Sequence, residues 1–133
     1  MANYYGACRS NYFEVKDDKA FEDAMSVVPN IDLLHETDGT WLILGDDPDG
    51  AGWPQWSYDD DDNETEIDLP AMVAPHLKDE HVAVFMESGA EKLRYINGYA
   101  EAVNNKGDRE SVSLMDIYNL ARKMGSEVTP AEY

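Results

Sequence analysis

Apolar positions along this chain fall into short blocks whose spacing alternates between that of strands and that of helices. Asn11 to Val15 (NYFEV) is rich in strand formers and reads as a first strand. Asp17 and Asp18 offer an N-cap, Phe21, Ala24, Met25 and Val28 follow at helical spacing, and Pro29 ends the helix. Two largely apolar runs, 31–36 and 41–44, flank the turn dipeptide Asp38-Gly39 and predict a hairpin. A polar stretch from about 45 to 66, rich in Asp, Gly, Pro and Trp, reads as one long acidic loop, a length uncommon in small domains unless it serves a function or moves. Asp68 then caps a short helix over Leu69, Met72 and Val73 that ends near Leu77.

The segment His81 to Met86 (HVAVFM) is the most apolar and predicts a central strand. Ser88 to Glu91 reads as a hairpin turn, and Lys92–Ile96 and Tyr99–Val103 continue as strand around a bulge or bend at Gly98. Asn105 to Gly107 turns the chain and Val112 closes the last strand. Ser113 opens a final helix with Leu114, Ile117, Tyr118, Ala121 and Met124 on one stripe, Arg122 and Lys123 in its last turn and Gly125 as C-cap. The order is therefore β-α-β-β-loop-α-β-β-β-α. That order predicts one α+β domain over residues 1–133, a mostly antiparallel sheet with helices packed on one face. No linker or internal repeat divides it.

Charge changes the picture. With 28 acidic against 10 basic residues the net charge is −18, yet 43% hydrophobic residues argue for a globule rather than a disordered acidic tail. The acidity is one-sided. No Lys or Arg occurs between Lys19 and Lys78, and that interval carries −15 of the −18. Such a field repels nucleic acid and anionic membranes and attracts basic proteins. A halophile's surface can look similar, but salt adaptation would spread the charge more evenly. The absence of an apolar run of about 18 residues excludes a membrane helix, and the first residues have neither the basic nor the apolar region of a secretion signal. A single cysteine, Cys8, fits a reducing compartment, so a soluble cytoplasmic protein is expected.

Catalytic chemistry finds little support. His35, His76 and His81 share no metal-ligand spacing, and His35 and His81 fall in or beside strands, where a structural role is expected. Cys8 stands next to Arg9, which would lower its pKa, but its surroundings read as those of an ordinary thiol. Phosphate-loop, dinucleotide and zinc-protease motifs do not occur. Asp47, Asp49 and Gly52 match the first, third and sixth positions of a calcium loop, but Ala51 and Tyr58 stand where ligands are required. No metal, no cofactor and no enzymatic activity are therefore expected.

The acidic segment carries the most specific pattern. Asp60, Asp62, Glu64, Glu66 and Asp68 recur at every second residue, which in an extended chain sets carboxylates on one face about 6.6 Å apart. Phosphates along one nucleic-acid strand are separated by a similar distance. Trp53, Trp56 and Tyr58 lie close by in sequence and supply surfaces for stacking or anchoring. The bland alternative is a solvated loop that its tryptophans pin to the core.

In size, one-sided acidity and the row from Asp59 to Asp68, the chain resembles the small acidic anti-defence proteins of phages and mobile elements, the DNA-mimicking anti-CRISPR and anti-restriction inhibitors. The segment Glu91–Ala100 (EKLRYINGYA) is also similar to phage and plasmid proteins. The resemblance implies a non-enzymatic inhibitor, acting in the host cytoplasm, that blocks the DNA- or RNA-binding groove of a Cas or restriction complex. It would bind that basic protein rather than nucleic acid or membrane. The expected contact residues are Asp46, Asp47, Asp49, Asp59, Asp60, Asp61, Asp62, Glu64, Glu66 and Asp68, with Trp53 and Trp56 as anchors. Two alternatives stand beside it. An adaptor for a basic partner would not compete with DNA, and a metal-dependent carboxylate hydrolase would lose turnover to a chelator. The sequence leaves the oligomeric state open, a dimer included.

Overall fold

The computed structural model describes residues 4–47, 50 and 52–132, with Tyr4 and Tyr5 as backbone. In chain order the elements are β1 (Tyr4–Ser10), α1 (Asp18–Met25), β2 (Ile31–His35), β3 (Trp41–Gly45), β4 (Trp56–Tyr58), β5 (Glu64–Glu66), α2 (Leu69–Val73), β6 (Val82–Glu91), β7 (Tyr95–Asn104), β8 (Arg109–Ser113) and α3 (Ile117–Ala121). Short 3₁₀ turns follow α2 at Ala74–His76 and precede α3 at Leu114–Asp116. Six strands form one sheet in the order β2-β3-β1-β6-β7-β8, every pairing antiparallel, and β4 and β5 form a separate hairpin. The α+β architecture and the succession of elements match the expectation, apart from this extra hairpin.

Alternation along the strands sets the two faces apart. Ala83, Phe85 and Val103 point to the same side as Trp41 and Ile43, where α1 contributes Phe21 and Met25 and α2 contributes Leu69 and Val73. The aromatic centre is tight: Phe21 meets Phe13 edge-on at 5.8 Å and Trp41 at 5.2 Å between ring centroids. Both helices begin on the expected caps, the Asp17 carboxylate accepting from Ala20 N–H and that of Asp68 from Ala71 N–H.

Three sequence expectations move. The first strand precedes Asn11–Val15, because side chains interrupt the ladder there. Ser10 Oγ accepts from Ile43 N–H at 2.8 Å, and the Asn11 amide accepts from Val84 N–H and donates to the Val82 carbonyl. Phe13 and Val15 keep only isolated bridges, to Trp41 and Leu77. Ser88–Glu91 is strand rather than turn. The chain reverses at Lys92–Arg94, where Lys92 takes a left-handed φ of 52°. Gly98 is no bulge: it pairs in register with Ser88, and its missing side chain leaves room for Leu114.

Candidate partner-binding surface

The acidic stretch is not structureless. Gln55 accepts from Ile67 N–H, and β4 pairs with β5 as Trp56↔Glu66, Ser57↔Thr65 and Tyr58↔Glu64. Directly opposed residues share a face. Trp56, Tyr58, Glu64 and Glu66 therefore stand together, all exposed, the two rings at 46% and 62%.

Asp59 closes the hairpin from inside. Its carboxylate accepts from the backbone N–H groups of Asp61 and Asn63, each at 2.9 Å, and from Asn63 Nδ2 at 3.0 Å. These donors, led by the Asn63 N–H, hold its pKa below the usual carboxylate range. Asp62 takes the left-handed conformation at φ 60°, which aspartate tolerates better than most residues. Asp60, Asp61 and Asp62 are left exposed at the tip.

The alternating row of carboxylates is therefore shorter than the sequence implied. Only Glu64 and Glu66 lie on a strand. Asp60 and Asp62 belong to the turn and its exit, where side chains no longer alternate. Asp68 has left the hairpin altogether. Beyond capping α2, it meets Arg109 Nη1 at 2.7 Å, and that guanidinium, the leading cause, lowers its pKa. Arg109 also pairs with Glu101, whose other oxygen accepts from the Tyr99 hydroxyl at 2.8 Å.

Trp53 parts company with Trp56. Its ring stands edge-on against Phe85 at 5.6 Å, and its backbone N–H donates to Glu87 Oε1 at 3.0 Å. Its indole Nε1 is buried with no hydrogen-bond partner among the described residues. Trp53 thus anchors the segment to the core while remaining only half-buried. Gly52 is required beside it, because φ is +98° and a Cβ would lie 2.3 Å from Glu87 Oε1. The sequence pattern gives no hint of Glu87, which falls between the expected strand at 81–86 and the expected turn from Ser88. Asp46 and Asp47 follow β3, with Asp46 exposed and its N–H bonded to the Asn30 carbonyl. Asp49, named with them, lies outside the described residues.

The remaining chemical candidates are engaged in the structure. His35 stacks flat on Trp41 at 4.0 Å, His76 meets Phe21 edge-on, and His81 Nδ1 accepts from Glu14 N–H. Burial, with Glu87 and Asp47 adding to it, pushes the Cys8 thiol up to about 12, opposite to the effect expected from Arg9. Among the described residues no group of three or more His, Cys, Asp or Glu side chains is placed to hold a metal ion, and no helix is long and apolar enough to cross a membrane. Comparison with protein-family models, with curated proteins and with solved structures finds no match.

Proposed function

We propose that the chain is a non-enzymatic inhibitor that offers its acidic hairpin to the basic nucleic-acid-binding groove of a host defence complex of Cas or restriction type, in the host cytoplasm. One observation carries this reading. The β4–β5 hairpin sets two exposed aromatic rings beside two carboxylates and ends in a tip of free aspartates, in a segment without a single Lys or Arg. Carboxylates spaced about 6.6 Å apart along β5 fit Lys and Arg side chains arranged for phosphates. The rings of Trp56 and Tyr58 supply the stacking surface that bases would use. The hairpin grips the core at both ends, through Trp53 and Ile67, so little ordering is left to binding.

The test is phage plating on hosts with an active CRISPR or restriction system. Expression of the chain should raise plating efficiency, and the purified protein should displace DNA from the effector. Asp60→Lys/Asp62→Lys/Glu64→Lys should abolish both while circular dichroism stays unchanged. Protection that survives the triple change, or none against either kind of system, would overturn the reading.

A further inference from the structure

Among the described residues, no layer covers the side of the sheet away from α1 and α2. Val84, Met86, Ser88 and Ala90 of β6 and Ile96, Gly98, Ala100 and Ala102 of β7 point there, opposite to Ala83, Phe85 and Val103. Ala7 and Gly98 flank Ser88 across one row, so the floor is low, while Met86, Ile96 and Val112 rise from it, each more than half exposed. The result is an open apolar groove of about 1110 Å³. Leu114 borders it, seated over Gly98, and after it the chain enters α3 with Ile117, Leu120 and Met124 exposed as well. One chain thus carries an uncovered trough with a floor of small residues and an uncovered apolar helix. An apolar face of this extent marks an interaction surface.

From this we infer that the groove is covered by a second copy of the chain, in a two-fold dimer in which the Leu114–Met124 segment of each protomer lies in the trough of the other. Charge selects this occupant. In a chain of net charge −18, residues 114–124 hold one carboxylate and two cations, and the charged side chains on the groove face of β1, β6, β7 and β8 are one of each sign, Arg9 beside Met86 and Glu110 beside Ala102. The acidic segment is anchored on the other side, where Trp53 stands on Phe85 and Ile67 enters the core. Two copies meeting groove to groove keep their acidic surfaces apart, and an acid-seeking basic partner finds no net negative charge there, since Glu110 is offset by Arg9. The size suffices. β6 and β7 pair over ten rows, flanked by β1 over seven and by β8 over five, a face of roughly 500 Å² at about 3.3 Å by 4.8 Å per residue. With side-chain relief and the helix this approaches the roughly 800 Å² per partner of a specific interface. A two-fold axis also closes the contact, so assembly stops at two.

Sedimentation equilibrium tests this. The wild type should be a dimer, and both Ile96→Glu/Val112→Glu and Ile117→Glu/Leu120→Glu should yield monomers. All four side chains are exposed within one copy, so thermal melts should show the fold intact. If a charged pair unfolds, Ile96→Ser/Val112→Ser replaces it and should weaken the dimer by about tenfold or more. A monomeric wild type, or a dimer indifferent to either pair, overturns the proposal.

Discussion

Asp68 shows how one residue can belong to an acidic run in sequence and leave it in space. Its carboxylate caps α2 and meets Arg109, so its charge is spent inside the protein. Asp68→Ala should destabilise the fold by about 1 kcal/mol, the usual loss at an N-cap, since a half-exposed ion pair adds little. Asp68→Asn keeps the acceptor and should recover most of that loss in a urea melt. Neither change should weaken partner binding more than modestly, in contrast to Glu64→Lys. If Asp68→Asn cost as much as Asp60→Lys in a binding titration, the carboxylate would have to reach the partner after all. Asp59 makes the complementary case, because it looks like one of four equivalent aspartates and is the one whose acceptors organise the other three.

At the scale of elements, that tie makes the hairpin sensitive to acid. Asp59 has its pKa lowered by folding, so its stabilisation is complete above the ordinary carboxylate value near pH 4 and is lost as pH falls through the depressed one. Protection of the β4 and β5 amides, taken against their intrinsic exchange rates, should therefore fall below about pH 4, before the sheet opens, and Asp59→Ala should produce the same loosening at neutral pH. A hairpin that exchanges only together with β6 would refute this. Most elements could be read from sequence, because caps and apolar spacing are local: Asp17, Asp68, Ser113 and Asp38-Gly39 all mark boundaries where expected. What escaped depends on distant partners. The sequence Gly6-Ala7-Cys8-Arg9 has no strand pattern, and only pairing with β6 makes it β1. β4 and β5 are three residues each, too short for periodicity to register. The stripe in the C-terminal helix was visible, but it was expected to face the core and instead stands exposed.

For the molecule as a whole, these features make two sides with opposite physics. On the proposed function the hairpin side works through charge, and its encounters should weaken as ions screen contacts beyond about 8 Å at physiological ionic strength. In the proposed dimer the groove side works through apolar burial, which salt does not screen, while two protomers of charge −18 repel each other. Added salt should therefore weaken inhibition and tighten the dimer. The triple reversal at Asp60, Asp62 and Glu64 separates the sides without salt. Each change adds two charges, so the three move the protomer from −18 to −12. The variant that loses its basic partner should then self-associate more strongly than the wild type at the same low ionic strength. Sedimentation equilibrium of both proteins across a salt series would reveal it as two curves that converge at high salt. Should the reversed variant instead dissociate as it loses inhibition, the hairpin would have to belong to the dimer contact, and the separation of the two sides would be wrong.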